Sequence, residues 1–193
     1  MRSKSLIKGL LLTASTVLLL GCGTETRALN AYRKGVAYFS DGRVDEALDL
    51  FNKALIDNPS LAIAHYYIGQ CYLETNPAWT LVAEEEYKLA LDMLNENPDQ
   101  LANAGPEFEG VPLDHAKARI LLGIGKASAR RSLTYVNVRL DLSTGEKLLS
   151  SAVSHLESSA RLDPGNQETS ELVERYSSQL HRLSCYRRGM CTV

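Results

Sequence analysis

An internal repeat does more than any other feature to limit what this chain can fold into. Gly35, Ala37 and Tyr38 recur as Gly69, Cys71 and Tyr72, each 34 residues on. Ala47, Phe51 and Ala54 recur as Ala83, Tyr87 and Ala90 at a spacing of 36, so two extra residues lie between. A fixed period of this size is the mark of stacked supersecondary units. The extra residues fall in "ETNPAWT" (74–80), where Pro77 would break a helix interior, so a lengthened turn is expected there. Both halves of each unit read as helices. In the second half of the first unit, Leu48, Phe51, Leu55 and Ile56 mark one apolar face, and Asn58-Pro59 ends it. Asp41-Gly42 is the turn between its helices. Gly35, Ala37, Ala47 and Ala54 are small where two helices must approach closely, with bulky Tyr38 and Phe51 filling the gaps. Cys71 stands in register with Ala37, which makes it a packing residue.

This pattern resembles the tetratricopeptide repeat (TPR), a helix–turn–helix unit of 34 residues. The resemblance covers 28–61 closely, through Gly35, Ala37, Tyr38, Gly42, Ala47, Phe51, Ala54 and Pro59. It covers 62–98 through Gly69, Tyr72, Ala83, Tyr87 and Ala90, although Pro98 comes late. A degenerate third unit spans 114–166, with helices over 114–131 and 145–166. Gly123 and Gly125 take its close-contact positions, and Lys126 stands where a tyrosine is usual. Residues 167–183, with Leu172, Val173, Tyr176, Leu180 and Leu183, form a capping helix, since a stack of repeats needs its last apolar face covered. The resemblance implies an all-α fold, a short right-handed α-solenoid of about three units plus the cap. A tail, 184–193, follows.

The N-terminus reads as an address. Arg2, Lys4 and Lys8 precede an apolar run from Leu10 to Leu20, too short to span a bilayer and suited to a secretory signal. Its end, Leu19-Leu20-Gly21-Cys22, resembles the bacterial lipobox, in which cleavage falls before a cysteine that then carries lipid. The resemblance implies a signal peptide over 1–21, an acylated Cys22 and a short tether over 22–27, roughly 18 Å when extended. Several acyl chains hold a protein at a membrane far better than one. Gly23 stands where aspartate would favour inner-membrane retention, so the expected location is the bacterial envelope, on the outer membrane facing the periplasm.

Removing the three N-terminal bases leaves 18 bases against 23 acids, a net charge of −5. Residues 41–109 hold 14 acids and 3 bases, whereas 110–193 hold 8 acids and 12 bases. A net-acidic chain with no basic-aromatic stripe is a poor nucleic-acid binder. The asymmetry reads most simply as solvated helix faces. His65, His115, His155 and His181 are scattered, with no HExxH and no CxxC. Glu84-Glu85-Glu86 reads as a solvated face near a helix N-terminus. Gly123-Ile124-Gly125 lacks the third glycine and the preceding strand of a dinucleotide loop. No catalytic constellation is present, and neither a cofactor nor a metal is expected. Cys185 and Cys191 are candidates for a disulfide that requires the chain to turn, which Gly189 would allow.

What remains is a binding surface. In tetratricopeptide domains the first helix of each unit lines a groove. In register, that resemblance places Leu29, Tyr32, Val36 and Phe39 from the first unit there, with Ile63, Tyr66, Gln70 and Leu73 from the second. An apolar, aromatic-bearing groove suits an amphipathic helix or an extended peptide. The expected function is therefore an envelope interaction scaffold or assembly factor, in plan like secretin pilotins and outer-membrane assembly lipoproteins. The alternative is a module for a non-protein ligand such as cell-wall glycan, or an accessory subunit of an envelope enzyme. Finally, "SLTYVNVRLDLSTG" (132–145) alternates Val136, Val138, Leu140 and Leu142 with polar residues, a period of two. An extended excursion is expected there, open to strand addition by a partner. Extension of the preceding helix, with Leu133, Val136 and Leu140 on one face, is the alternative.

Overall fold

The computed structural model describes residues 23–103 and 108–190, so Cys22 and Cys191 lie outside it. The chain is all-α, and no strand occurs among the described residues. It divides into two compact units between Leu61 and Ala62.

The first unit is a helix pair, α1 (23–40) and α2 (Val44–Asp57). Gly35 on α1 is the reason they can approach. A methyl group there would lie 2.7 Å from the Phe51 ring, so only glycine leaves room for it. The Tyr32 ring packs on Phe51 at 5.9 Å, and Ala47, Phe51 and Ala54 are buried beside it. The helices reverse through a glycine cap. Gly42 has φ of 75°, its N–H donates to Phe39 and the Arg43 N–H to Tyr38, which satisfies carbonyls at the end of α1. Arg43 then lies over the Tyr38 ring at 3.8 Å and pairs with Glu46. An Arg27–Asp57 ion pair of 3.1 Å joins the far ends of the two helices. Residues 23–27, expected to belong to a short tether ahead of the first helix, are helical, because α1 runs back to Gly23. Ala37 is exposed although its counterpart Cys71 is fully buried. The repeat register assigns both the same position, but covering it requires a neighbouring element.

The second unit holds α3 (Ala62–Thr75), α4 (Thr80–Glu96), α5 (Leu113–Asn137), α6 (Leu142–Leu162) and α7 (Gln167–Arg187), each packed on the next. The expected turn at 74–80 is a short 3₁₀ segment, Pro77–Trp79, started by the Asn76 side chain accepting from the Ala78 N–H at 2.8 Å. Tyr87 of α4 is the centre of this unit. Its ring faces Gly69 of α3 and Gly123 of α5, where added methyl groups would come within 2.9 and 2.6 Å. Gly125 receives Leu156 of α6 in the same manner. Gly123 and Gly125 thus serve helix packing. The Tyr87 hydroxyl is buried with no hydrogen-bond partner among the described residues. Burial, with Tyr66 and Glu74 nearby, pushes that phenol well above its ordinary pKa.

Glu84 does not lie on a solvated face. It is 5 % exposed, accepts from Arg131 at 2.6 Å and Ser128 at 3.0 Å on α5, and is bonded by Lys88 at 2.6 Å on its own helix. One turn of α4 places residue 84 beside the buried Ala83, on the side facing α5. Burial alone would raise this carboxyl, but the bonds from Lys88, Arg131 and Ser128 outweigh it and hold the pKa below the usual value. Glu85 stays exposed, and Glu86 meets His65 Nδ1 at 2.7 Å.

The extended reading of 132–145 is corrected. Helix α5 continues to Asn137, a turn follows, and α6 starts at Leu142. Helix–helix contact overrides the period-two pattern. Val136 packs on the Gly145 position of α6, and the buried Ser132 hydroxyl donates to the Gly145 carbonyl at 2.6 Å. Asp141 caps α6 by accepting from the Thr144 N–H at 3.0 Å. The last helix covers the core as a cap should: Leu172 is buried against Leu122 and Leu156, while Tyr176, Leu180 and Leu183 pack on Ala129, Leu149 and Ala152.

Tyr87→Ala should cost roughly 3–5 kcal/mol in denaturant unfolding, because it empties a site shared by three helices. Tyr87→Phe should stay within about 1 kcal/mol of the parent or exceed it, since it removes only an unpaired buried hydroxyl. Glu84→Gln should lose roughly 1–3 kcal/mol at neutral pH. The depressed carboxyl contributes stability above the ordinary glutamate value of about 4.3, and this is lost as pH falls through its lower folded value. Stability measured against pH should accordingly fall less steeply on the acid side in Glu84→Gln.

Candidate functional site

The eight residues expected to line a groove divide by burial. Tyr32, Ile63 and Leu73 belong to the core, at 0, 1 and 4 % exposure. They are corrected here as ligand-facing residues: Tyr32 is taken up by Phe51, and a first helix must bury one side against its own partner. Leu29, Val36 and Phe39 on α1 and Tyr66 and Gln70 on α3 are half-buried, so part of each is open to contact. Val36 and Gln70 occupy the same repeat position, 34 residues apart, and both are accessible.

On the second unit these residues enter an aromatic cluster that sequence periodicity did not indicate. The Tyr66 ring lies 5.2 Å from Tyr67, 5.8 Å from Tyr87 and 5.8 Å edge-on to Phe108. Gln70 donates to the Tyr66 hydroxyl at 2.9 Å, which fixes both polar tips beside one another. The Arg119 guanidinium lies 5.2 Å over the Phe108 ring. Phe108 sits outside the repeat register, in the segment between α4 and α5, so no spacing argument reaches it. Phe108, Tyr67 and Tyr87 are buried, so the accessible part of the cluster is Tyr66 with the Gln70 amide, which can meet a peptide by packing and hydrogen bonds.

On α6 the Ser151 hydroxyl lies 3.5 Å from His155 Nδ1, but that nitrogen also lies 2.7 Å from the Ser151 carbonyl, a contact in which it can only donate, so the pair is not set as nucleophile and base. Among the described residues no group of three His, Cys, Asp or Glu side chains could hold a metal ion. No helix among them is long and apolar enough to cross a membrane. Cys71 is a buried thiol outside any disulfide, whereas Cys185 is disulfide-bonded. The chain after α7 turns at Gly189, with φ of 66°, and the Met190 N–H donates back to Cys185 at 3.1 Å.

Comparison with known proteins agrees with the architecture. Residues 35–76 match the family described as TPR repeat. No curated protein sequence matches. Among solved structures, the chain is similar to one described as the first TPR of Spaghetti (RPAP3) bound to the HSP90 peptide SRMEEVD. The TM-score is 0.52 at 20 % identity, covering 81 % of this chain and 98 % of that one. That degree of identity establishes likeness of fold. The matched segment joins the end of α1 to the end of α3, taking in Gly35, Phe51, Gly69 and Cys71, and the protein has an all-α, tetratricopeptide-like fold with a TPR repeat at 35–76.

Proposed function

We propose that the protein is an envelope lipoprotein that holds a protein partner on its tetratricopeptide helices. The observation that carries this reading is that Val36 on the first unit and Gln70 on the second, which occupy one repeat position, are each accessible on their own helix. The similar solved domain carries a bound peptide, which supports a peptide segment as the kind of ligand. The Leu19-Leu20-Gly21-Cys22 stretch supports anchorage through an acylated Cys22, with the outer membrane favoured by Gly23. The helical start at residue 23 leaves little flexible chain, so such an anchor would hold the domain against the membrane. We also pair Cys185 with Cys191, since the turn at Gly189 sends the chain back towards Cys185.

Two measurements check this reading. Cys22→Ser should give an unprocessed or soluble exported chain; a processed species still acylated and fractionating with membranes would end the anchorage reading. Photo-crosslinkers at Val36 and at Gln70, introduced in living cells, should capture the same envelope protein. One at the exposed Glu157 should not. Equal capture from all three positions would remove the assigned face.

A further inference from the structure

A cleft of about 300 Å³ in the second unit is lined by the exposed Leu81, and three more of the nine large apolar side chains exposed among the described residues, Trp79, Val138 and Leu140, adjoin its lining residues in the chain. One wall is the start of α4, with Ala78, Thr80 and Leu81; the other is the end of α5, with Arg131, Tyr135 and Arg139. Leu81 lines the cleft and is 48 % exposed, and Trp79, between two wall residues, is 49 % exposed. Val138 and Leu140 flank Arg139 and project further, at 75 and 80 % exposure. Leu140 is held there by a backbone that leucine rarely adopts, with φ of 54°. No acidic residue lines the cleft. Arg131 Nη1 donates to Glu84, which orients the guanidinium, and the Arg139 guanidinium lies 4.9 Å over the Tyr135 ring.

We infer that this cleft and the α5–α6 turn form a second membrane contact, one that takes an anionic lipid surface. The chemistry divides by depth. Arg131 is held by Glu84, so Arg139 is the cation that reaches phosphate oxygens while its stem stays with apolar matter. Tyrosine and tryptophan settle at the boundary between headgroup and chain. Leucine and valine at a projecting turn enter the apolar layer. A peptide groove would bury its apolar walls in a concavity, whereas Val138 and Leu140 stand clear of theirs, which suits a fluid phase. The α5 wall and the α5–α6 turn belong to residues 110–193, where 12 bases face 8 acids, so attraction to anionic lipid is available on that side despite the overall negative charge. The inference rests on the envelope reading only for the supply of lipid.

The test uses the processed chain, residues 22–193, carrying Cys22→Ser so that no acyl chain contributes. Trp79 is the sole tryptophan; it stands between Ala78 and Thr80 of the cleft wall with its half-exposed ring on Tyr72 at 5.8 Å, so its emission reports on the rim of the cleft. Phosphatidylcholine vesicles containing phosphatidylglycerol should shift that emission to the blue and carry the protein in flotation, and added salt should weaken both. Val138→Asp with Leu140→Asp should lower partitioning by about tenfold or more, with thermal unfolding unchanged because both side chains are exposed. Arg139→Gln should lower it roughly fivefold. The inference is overturned by absence of flotation, by equal binding to phosphatidylcholine alone, or by variants that bind like the parent. A blue shift produced by an acidic helical peptide and not by vesicles would also overturn it, assigning the patch to a protein. Crosslinking from Val36 and Gln70 that persists in the Asp variants shows that the partner-binding reading stands or falls separately.

Discussion

The second unit depends on one ring held between two glycines. Tyr87 reaches from α4 to α3 and α5 at once, and both neighbours lack a side chain at the point of contact. Helices this close gain dispersion energy from every atom of the ring, but only while no methyl group intervenes. Phe51 against Gly35 repeats the arrangement in the first unit, and Leu156 against Gly125 extends it towards α7. The small residues of the repeat are therefore the complement of its large ones. The unpaired Tyr87 hydroxyl shows that shape outweighs polarity at this position.

A polar contact joins the same helices. Glu84 on α4 meets Arg131 and Ser128 on α5, with Lys88 completing the carboxylate. A buried carboxylate is tolerated because each oxygen is occupied by a charged or hydroxyl donor. It also holds Arg131 in the wall of the cleft, so a structural ion pair forms part of the proposed lipid contact. Packing of the core and display of the surface are linked at that residue.

The surface has two faces with different chemistry. Tyr66 and Gln70 on α3 offer an aromatic edge and an amide above the buried Phe108, on the helix that the tetratricopeptide resemblance would assign to recognition. The α4–α5 cleft brings arginines and projecting apolar tips together from segments 50 or more residues apart. On the proposed reading the first would hold a partner and the second would set the domain's orientation on a bilayer.

By itself the sequence determined the class of fold. A 34-residue period with Gly35, Phe51, Gly69 and Tyr87 in register leaves little choice, because each glycine requires the ring that fills it and each ring requires the gap. The turns at Asp41-Gly42 and Pro77 followed from backbone chemistry that no tertiary contact has to supply. Burial was beyond its reach. Periodicity sorts residues onto faces, but Tyr32, Ile63 and Leu73 became core only because another helix lies over them. The same limit explains Glu84, polar in sequence and buried in space by donors 44 and 47 residues away. It also explains 132–145, where contact with Gly145 holds a β-patterned stretch in α5 as far as Asn137. Local pattern is set by neighbours along the chain, whereas exposure and partnership are set by neighbours across it.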